Sequence, residues 1–258
     1  MLIDRDQGGS SVRRSLAIMM LWASCSLAQE PVVRFSIAES WSMPLIRTEG
    51  GQPVEGIFFD LMQAVAHEVG ARPEYHLMAR LRLQQAMDDG DIDVRCNVAA
   101  GWFDDSPANY LWSVPLIRQH ELLVGLAGDT GPGLPEHLPS QSIGAVLGYR
   151  YPSLTVLFER GHLLREDSRN QLLVLQKLHA GRYSHALSDR LSLDRFNRQL
   201  PPAQRLRALA VYEEQDLRCM VRNDPALPTQ RILRALARFK ASGKLEESVM
   251  RHTAGEQD

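Results

Sequence analysis

Long apolar runs are nearly absent from this chain of 258 residues, and the one it has lies at the N-terminus. No later stretch is apolar enough to span a bilayer, which argues against a multi-pass membrane protein. The usual marks of nucleotide chemistry are missing as well. No Gly-x-Gly-x-x-Gly follows a strand and no Gly-x-x-x-x-Gly-Lys-Ser/Thr loop is present to cradle a phosphate. Gly128-Asp129-Thr130-Gly131-Pro132-Gly133 is rich in glycine, but with its proline and no following helix it reads as a surface turn. There is no His-Glu-x-x-His, and the eight histidines are scattered, so no metal is expected. A Gly-x-Ser-x-Gly elbow and a Cys-x-x-Cys pair are also lacking, and no cofactor is implied.

Charge of one sign is not in excess either. The chain carries 29 Lys+Arg against 31 Asp+Glu, and residues 1–28 hold three of the basic residues (Arg5, Arg13, Arg14) and two of the acidic ones (Asp4, Asp6). The remaining 26 against 29 leaves no footprint for nucleic acid or an anionic membrane. Arg190, Arg195, Arg198, Arg205 and Arg207 cluster, but Asp189 and Asp194 interleave with them, as on a solvated helix face and loop.

What is present begins with Arg13-Arg14, the apolar run Leu16 to Ala23, and Ser26-Leu27-Ala28. A basic segment, a short apolar segment and small residues in that order read as a secretory signal over 1–28, cut before Gln29, which predicts a periplasmic protein. Trp22 stands where a lipid-attachment motif ending at Cys25 would need a small aliphatic residue, so a lipoprotein is not expected. Only Cys96 and Cys219 then remain. In an oxidising compartment they form either one disulfide or two buried thiols.

Arg34 to Ala38 reads as a strand, Phe59 to Val69 as a helix stopped by Gly70, and Glu74 to Met78 as a second strand. Leu83 and Met87 mark a second helix, and Ile92 to Val98 a third strand. This βαβαβ order predicts parallel strands flanked by helices. Further strands are expected at Glu121–Leu126, Ser142–Val146, His185–Ser188, Arg207–Tyr212 and Leu217–Val221. Helices are expected from Ser168 to Gly181 and around Ile232, Leu236 and Phe239, with a break at Gly243.

Gly56-Ile57-Phe58-Phe59-Asp60-Leu61-Met62-Gln63-Ala64-Val65-Ala66 resembles the signature of the family 3 bacterial extracellular solute-binding proteins, the polar amino-acid binders of ABC transporters. Phe58 replaces that signature's first acidic residue. Asp91-Ile92-Asp93-Val94, Trp112-Ser113-Val114-Pro115-Leu116, Ile143 to Gly148, and Ala241 to Glu247 add to the resemblance in the right order. It implies an α/β fold, a two-lobed periplasmic binding protein of type II, each lobe a mainly parallel sheet flanked by helices and joined by two crossover strands. Lobe one would comprise 29–120 plus 217–258, and lobe two 121–216. The strands bearing Cys96 and Cys219 would then be neighbours, which permits a disulfide.

By the same resemblance a ligand would lie in the cleft, held by an arginine fork, a carboxylate and an aromatic wall. Glu39 and Trp41 follow the first strand where the family supplies an acid and an aromatic, although Trp41 could equally cap the core. Asp189 falls where the family holds the ligand ammonium, or is a plain N-cap. Tyr149 and Arg150 replace the family's Gly-Thr. Asn97 and Trp102 stand in the segment where its carboxylate-clamping arginine is missing, a role Arg150 could assume. The function implied is that of a monomer capturing a small-molecule ligand, with an ABC permease or a membrane sensor as partner. The alternatives are a lyase resembling cyclohexadienyl dehydratases, with Glu39 as its acid, and a signalling or interaction protein with a degraded cleft.

Overall fold

The computed structural model describes residues 30–103, 109–131 and 133–254. The signal segment expected over 1–28 lies outside the described residues. The chain opens with β1 (Val32–Ala38), a hairpin of β2 (Arg47–Glu49) and β3 (Gln52–Glu55), α1 (Ile57–Val69), β4 (Arg72–Met78), α2 (Leu83–Asp88) and β5 (Val94–Val98). β6 (Tyr110–Trp112) and β7 (Ile117–Gly125) lead to β8 (Gln141–Val146), α3 (Thr155–Glu159), β9 (Leu163–Ser168), α4 (Gln171–His179), β10 (His185–Asp189) and α5 (Arg190–Arg198). The long β11 (Arg207–Arg222) returns, and α6 (Thr229–Ala241) and α7 (Lys244–Ala254) close the described chain.

The strands run in the order β4-β1-β5-β11-β7-β10-β8-β9, with β6 also paired to β11. β1 is parallel to both β4 and β5, and β8 is parallel to β9 and β10. β11 is antiparallel to all its neighbours and is shared. Its first part, from Arg207 to Leu217, pairs with β7, and its last part pairs with β5 and β6.

Two sets of core residues lie on either side of this shared strand. Phe35 and Ile37 of β1, Phe58 and Met62 of α1, Cys219 and Val221 of β11, and Ile232 and Leu236 of α6 form one. In the other half, strand alternation splits β7: Leu122 and Val124 pack with α4 and α5, whereas Leu123 faces Ile143, Ala145 and Leu163. The motif residues of α1 acquire physical roles. Gly56 has φ 128°, and a Cβ there would lie 2.5 Å from the Leu45 carbonyl oxygen, so only glycine fits. Asp60 accepts hydrogen bonds from Ser248 Oγ at 2.6 Å and from His252 Nε2 at 2.8 Å, which docks α7 onto α1.

Cys96 of β5 and Cys219 of β11 are joined in a disulfide, with Cα atoms 3.9 Å apart. Just beyond, the β5–β11 register shifts between Arg218 and Met220, and Asn97 takes φ 58°. This is a bulge, and asparagine is among the few residues that tolerate the left-handed region.

Two expectations are corrected. Arg207–Tyr212 and Leu217–Val221 are not separate strands but parts of β11. The polar run between them pairs with β7, where Arg118 donates to Glu214 across the strands; Glu214 and Asp216 are exposed and Glu213 and Gln215 half-buried, while the backbone is satisfied by the ladder. The helix expected from Ser168 begins at Gln171, with Asn170 Oδ1 accepting from Leu173 N at 2.9 Å. Ser168 instead ends β9, an edge strand whose Arg165-Glu166-Asp167 disguised it. The basic face of α5 is also less solvated than expected: Arg195 is half-buried and donates to the His252 carbonyl at 3.0 Å.

Candidate functional site

The loops that leave the C-terminal ends of parallel strands meet where the two halves face each other, the usual place for ligands in open α/β sheets. From one half come the short 3-10 turns Arg80–Arg82, after β4, and Ala100–Trp102, after β5. From the other comes Gly148-Tyr149-Arg150-Tyr151, after β8. The Arg80 guanidinium carbon lies 5.1 Å from the Trp102 ring centre and 4.5 Å from that of Tyr149, so one cation touches an aromatic from each side. Arg150 Nη1 donates to the Trp102 carbonyl at 3.2 Å, a second bridge between the halves.

Below these rings sits a set of carboxyl groups. Glu121 is paired across the ladder with Asp189 of β10 and with Glu213 of β11. Burial pushes Glu121 up to about 8; the Asp189 charge adds to the rise, and a hydrogen bond from Gln119 opposes it. Asp189 is raised by burial too, although it caps α5 and accepts from Ser192 N at 2.9 Å and Ser192 Oγ at 2.7 Å. Burial raises the Tyr149 hydroxyl, opposed by the Arg80 cation and by the Ser40 side chain. Two buried polar atoms here have no hydrogen-bond partner among the described residues, Asn97 Oδ1 and the Tyr212 hydroxyl. Unpaired groups of this kind are expected where a ligand completes the bonding.

The raised Glu121 has a measurable consequence. A carboxyl whose folded value lies above its unfolded one binds a proton in the native state, so its contribution to stability is lost as pH rises from the ordinary carboxylate range through about 8. Glu121→Gln is expected to flatten that decline, read as thermal midpoints across roughly pH 5 to 9. A wild-type midpoint that does not fall over this range would contradict it.

Of the residues singled out in sequence, Trp102, Tyr149 and Arg150 are brought together here, with Asp189 beneath and Asn97 buried on the adjoining strand. Glu39 is exposed. Trp41 is buried, its ring centre 5.1 Å from that of Phe58 in the core, and its indole N–H has no partner among the described residues. Arg80, Arg95 and Glu121 carried no motif. Arg95 did carry one signal, as a charged residue in a short strand that also holds Val94, Cys96 and Val98. No group of His, Cys, Asp or Glu among the described residues is arranged to hold a metal ion.

No family model and no curated protein matches the chain. Solved structures do. An amino acid ABC transporter substrate-binding protein, AbpA, from Streptococcus pneumoniae, bound to L-arginine, superposes with a TM-score of 0.69 at 15% identity, over 87% of this chain and 97% of that one. The GluR0 ligand-binding core from Nostoc punctiforme, in complex with L-glutamate, gives 0.67 at 13% identity, over 87% and 100%. The periplasmic domain of B. pertussis BvgS gives 0.64 at 19%, covering 87% of this chain and 43% of that chain. The fold is that of the two-lobed type II periplasmic binding proteins. Its structural neighbours include the substrate-binding proteins of amino-acid ABC transporters.

Proposed function

We propose that the chain is an exported solute-binding protein that captures a small polar solute, an amino acid or a related amine or aromatic acid, and closes on it by a hinge. The observation that carries this reading is the meeting of Arg80, Trp102 and Tyr149 from facing halves above the half-buried Glu121 and the buried Asp189. Cation, aromatic walls and carboxyl groups are the components that hold a charged organic solute. In this reading lobe one comprises 29–120 plus 217–258 and lobe two 121–216, in keeping with the separate core clusters. Hinge motion would run through β7 and β11, the two long strands that pass between the halves. Among the described residues no helix is long and apolar enough to cross a membrane, which fits a protein released after removal of 1–28.

The partner on this reading is an ABC permease, as for AbpA. A second reading, in which the bound solute is reported to a membrane sensor, would use the same cleft. A lyase is less well supported, because Glu39, the acid it would use, is exposed rather than enclosed.

A thermal-shift panel of amino acids, amines and aromatic acids tests binding. A solute present at a hundred times its dissociation constant is expected to add about 2.7 kcal/mol to stability. If no compound moves the midpoint, a solute-binding role fails.

A further inference from the structure

A cavity of about 330 Å³ opens beside the stacked rings, lined by Arg80, Arg95 and Arg150 together with Trp102 and Phe103. Arg95 is the unusual member. It lies in β5, every residue of which is buried, and is itself only 8% exposed. Its Nη1 contacts Met87 Sδ at 3.2 Å and its guanidinium carbon lies 5.3 Å from the Phe103 ring centre. Among the described residues no carboxylate lies within ion-pair distance of Arg95 or Arg80.

The setting differs from that of two other partly buried arginines. Arg34 and Arg222 are both bonded to Asp93. By contrast, burial and the neighbouring Arg80 charge push Arg95 down to about 10. A buried cation beside a second cation is costly unless an anion joins them, and a thioether and a ring face replace little of the lost hydration. The Arg80 faces are turned to Trp102 and Tyr149, which leaves the in-plane N–H edge as its donor surface.

From this we infer that the cavity is an anion subsite, and that the solute of this cleft is a small organic dianion whose acidic groups span Arg80 and Arg95, its carbon skeleton lying on Trp102 and Phe103. This rests on the solute-binding reading and narrows it, since a simple amine would meet two like charges there. Two fixed cations ask for two anionic groups, and the aromatic walls favour an organic skeleton over an inorganic ion.

Calorimetric titration of the whole protein with succinate, inorganic phosphate, L-glutamate and L-arginine tests the inference. Succinate or glutamate is expected to bind saturably and more tightly than phosphate or arginine. Arg80→Gln and Arg95→Gln should each weaken that binding at least tenfold, with Arg95→Lys restoring part of it. The Lys variant also guards against loss of folding in Arg95→Gln. Arginine binding with affinity unchanged in Arg80→Gln would overturn the dianion while leaving a solute cleft intact. Phosphate as the tightest binder would overturn the organic skeleton. No binding by any of the four, in a protein that gains stability from none of the wider panel, would remove the solute-binding reading itself.

Discussion

Serine at both Cys96 and Cys219 is expected to lower the stability of the protein by about 4–5 kcal/mol, the loop-entropy value for a cross-link that closes a loop of this size. The two residues are 123 apart in sequence and join β5 to β11, the strand shared by the two halves of the sheet. Most of the chain between them belongs to the second half, so the bond removes freedom from the unfolded chain that no local contact could. Both sulfurs lie in the core, and serine hydroxyls there would add the cost of burying unpaired polar groups. Denaturant midpoints of the oxidised wild type and the double variant check this. Equal midpoints would mean that the bond does not constrain the chain.

The second large effect centres on Asp93. Its side chain is 3% exposed and binds Arg34 Nη2 at 2.8 Å and Arg222 Nη2 at 2.8 Å, which ties β1 to β11 through the turn before β5. Asp93→Ala leaves two arginines with no shared anion and is expected to cost about 3–5 kcal/mol in denaturant unfolding. The pH dependence gives a further check. Burial alone would raise the Asp93 carboxyl, but the hydrogen bonds and charge of Arg34, with Arg222, outweigh it and hold the group below the ordinary carboxylate range. A group depressed on folding contributes stability that is present above its unfolded value and lost as pH falls through the folded one. Wild type and Asp93→Ala should therefore converge in acid and diverge above it. A constant gap at all pH values would assign the cost to packing instead. With Glu121 acting in the opposite sense, its contribution declining from the ordinary carboxylate range through about 8, the two groups together place the most stable range near the ordinary carboxylate values, above the Asp93 transition.

Much of this architecture is legible in sequence for identifiable reasons. Apolar runs such as Phe35-Ser36-Ile37-Ala38 and Leu122-Leu123-Val124 become strands because their burial dominates local choice. The Gly56 motif is readable because its backbone conformation and the close Leu45 carbonyl admit no other residue. The polar middle of β11 is not readable, since its ladder is made with β7 while it carries no apolar side chains to mark a strand. β9 is hidden for a related reason, its outer charges being those of an edge strand.

The site was legible only in pieces. Trp102, Tyr149 and Arg150 stood out as departures from a familiar pattern. Arg80 did not, because a lone arginine in a turn carries no signal until the fold brings a ring to it from each half. Trp41 shows the converse. An aromatic after the first strand suits a cleft wall or a core equally, and contact with Phe58 places it in the core.

The measurement that bears most directly on a solute cleft between the halves is a calorimetric titration of the most stabilising solute into wild type and Tyr149→Ala. Tyr149 contributes one of the two rings that meet Arg80. The expected result is saturable one-to-one binding by wild type, weakened about tenfold or more once the ring is lost. Identical isotherms for the two proteins would place the solute elsewhere and contradict the cleft.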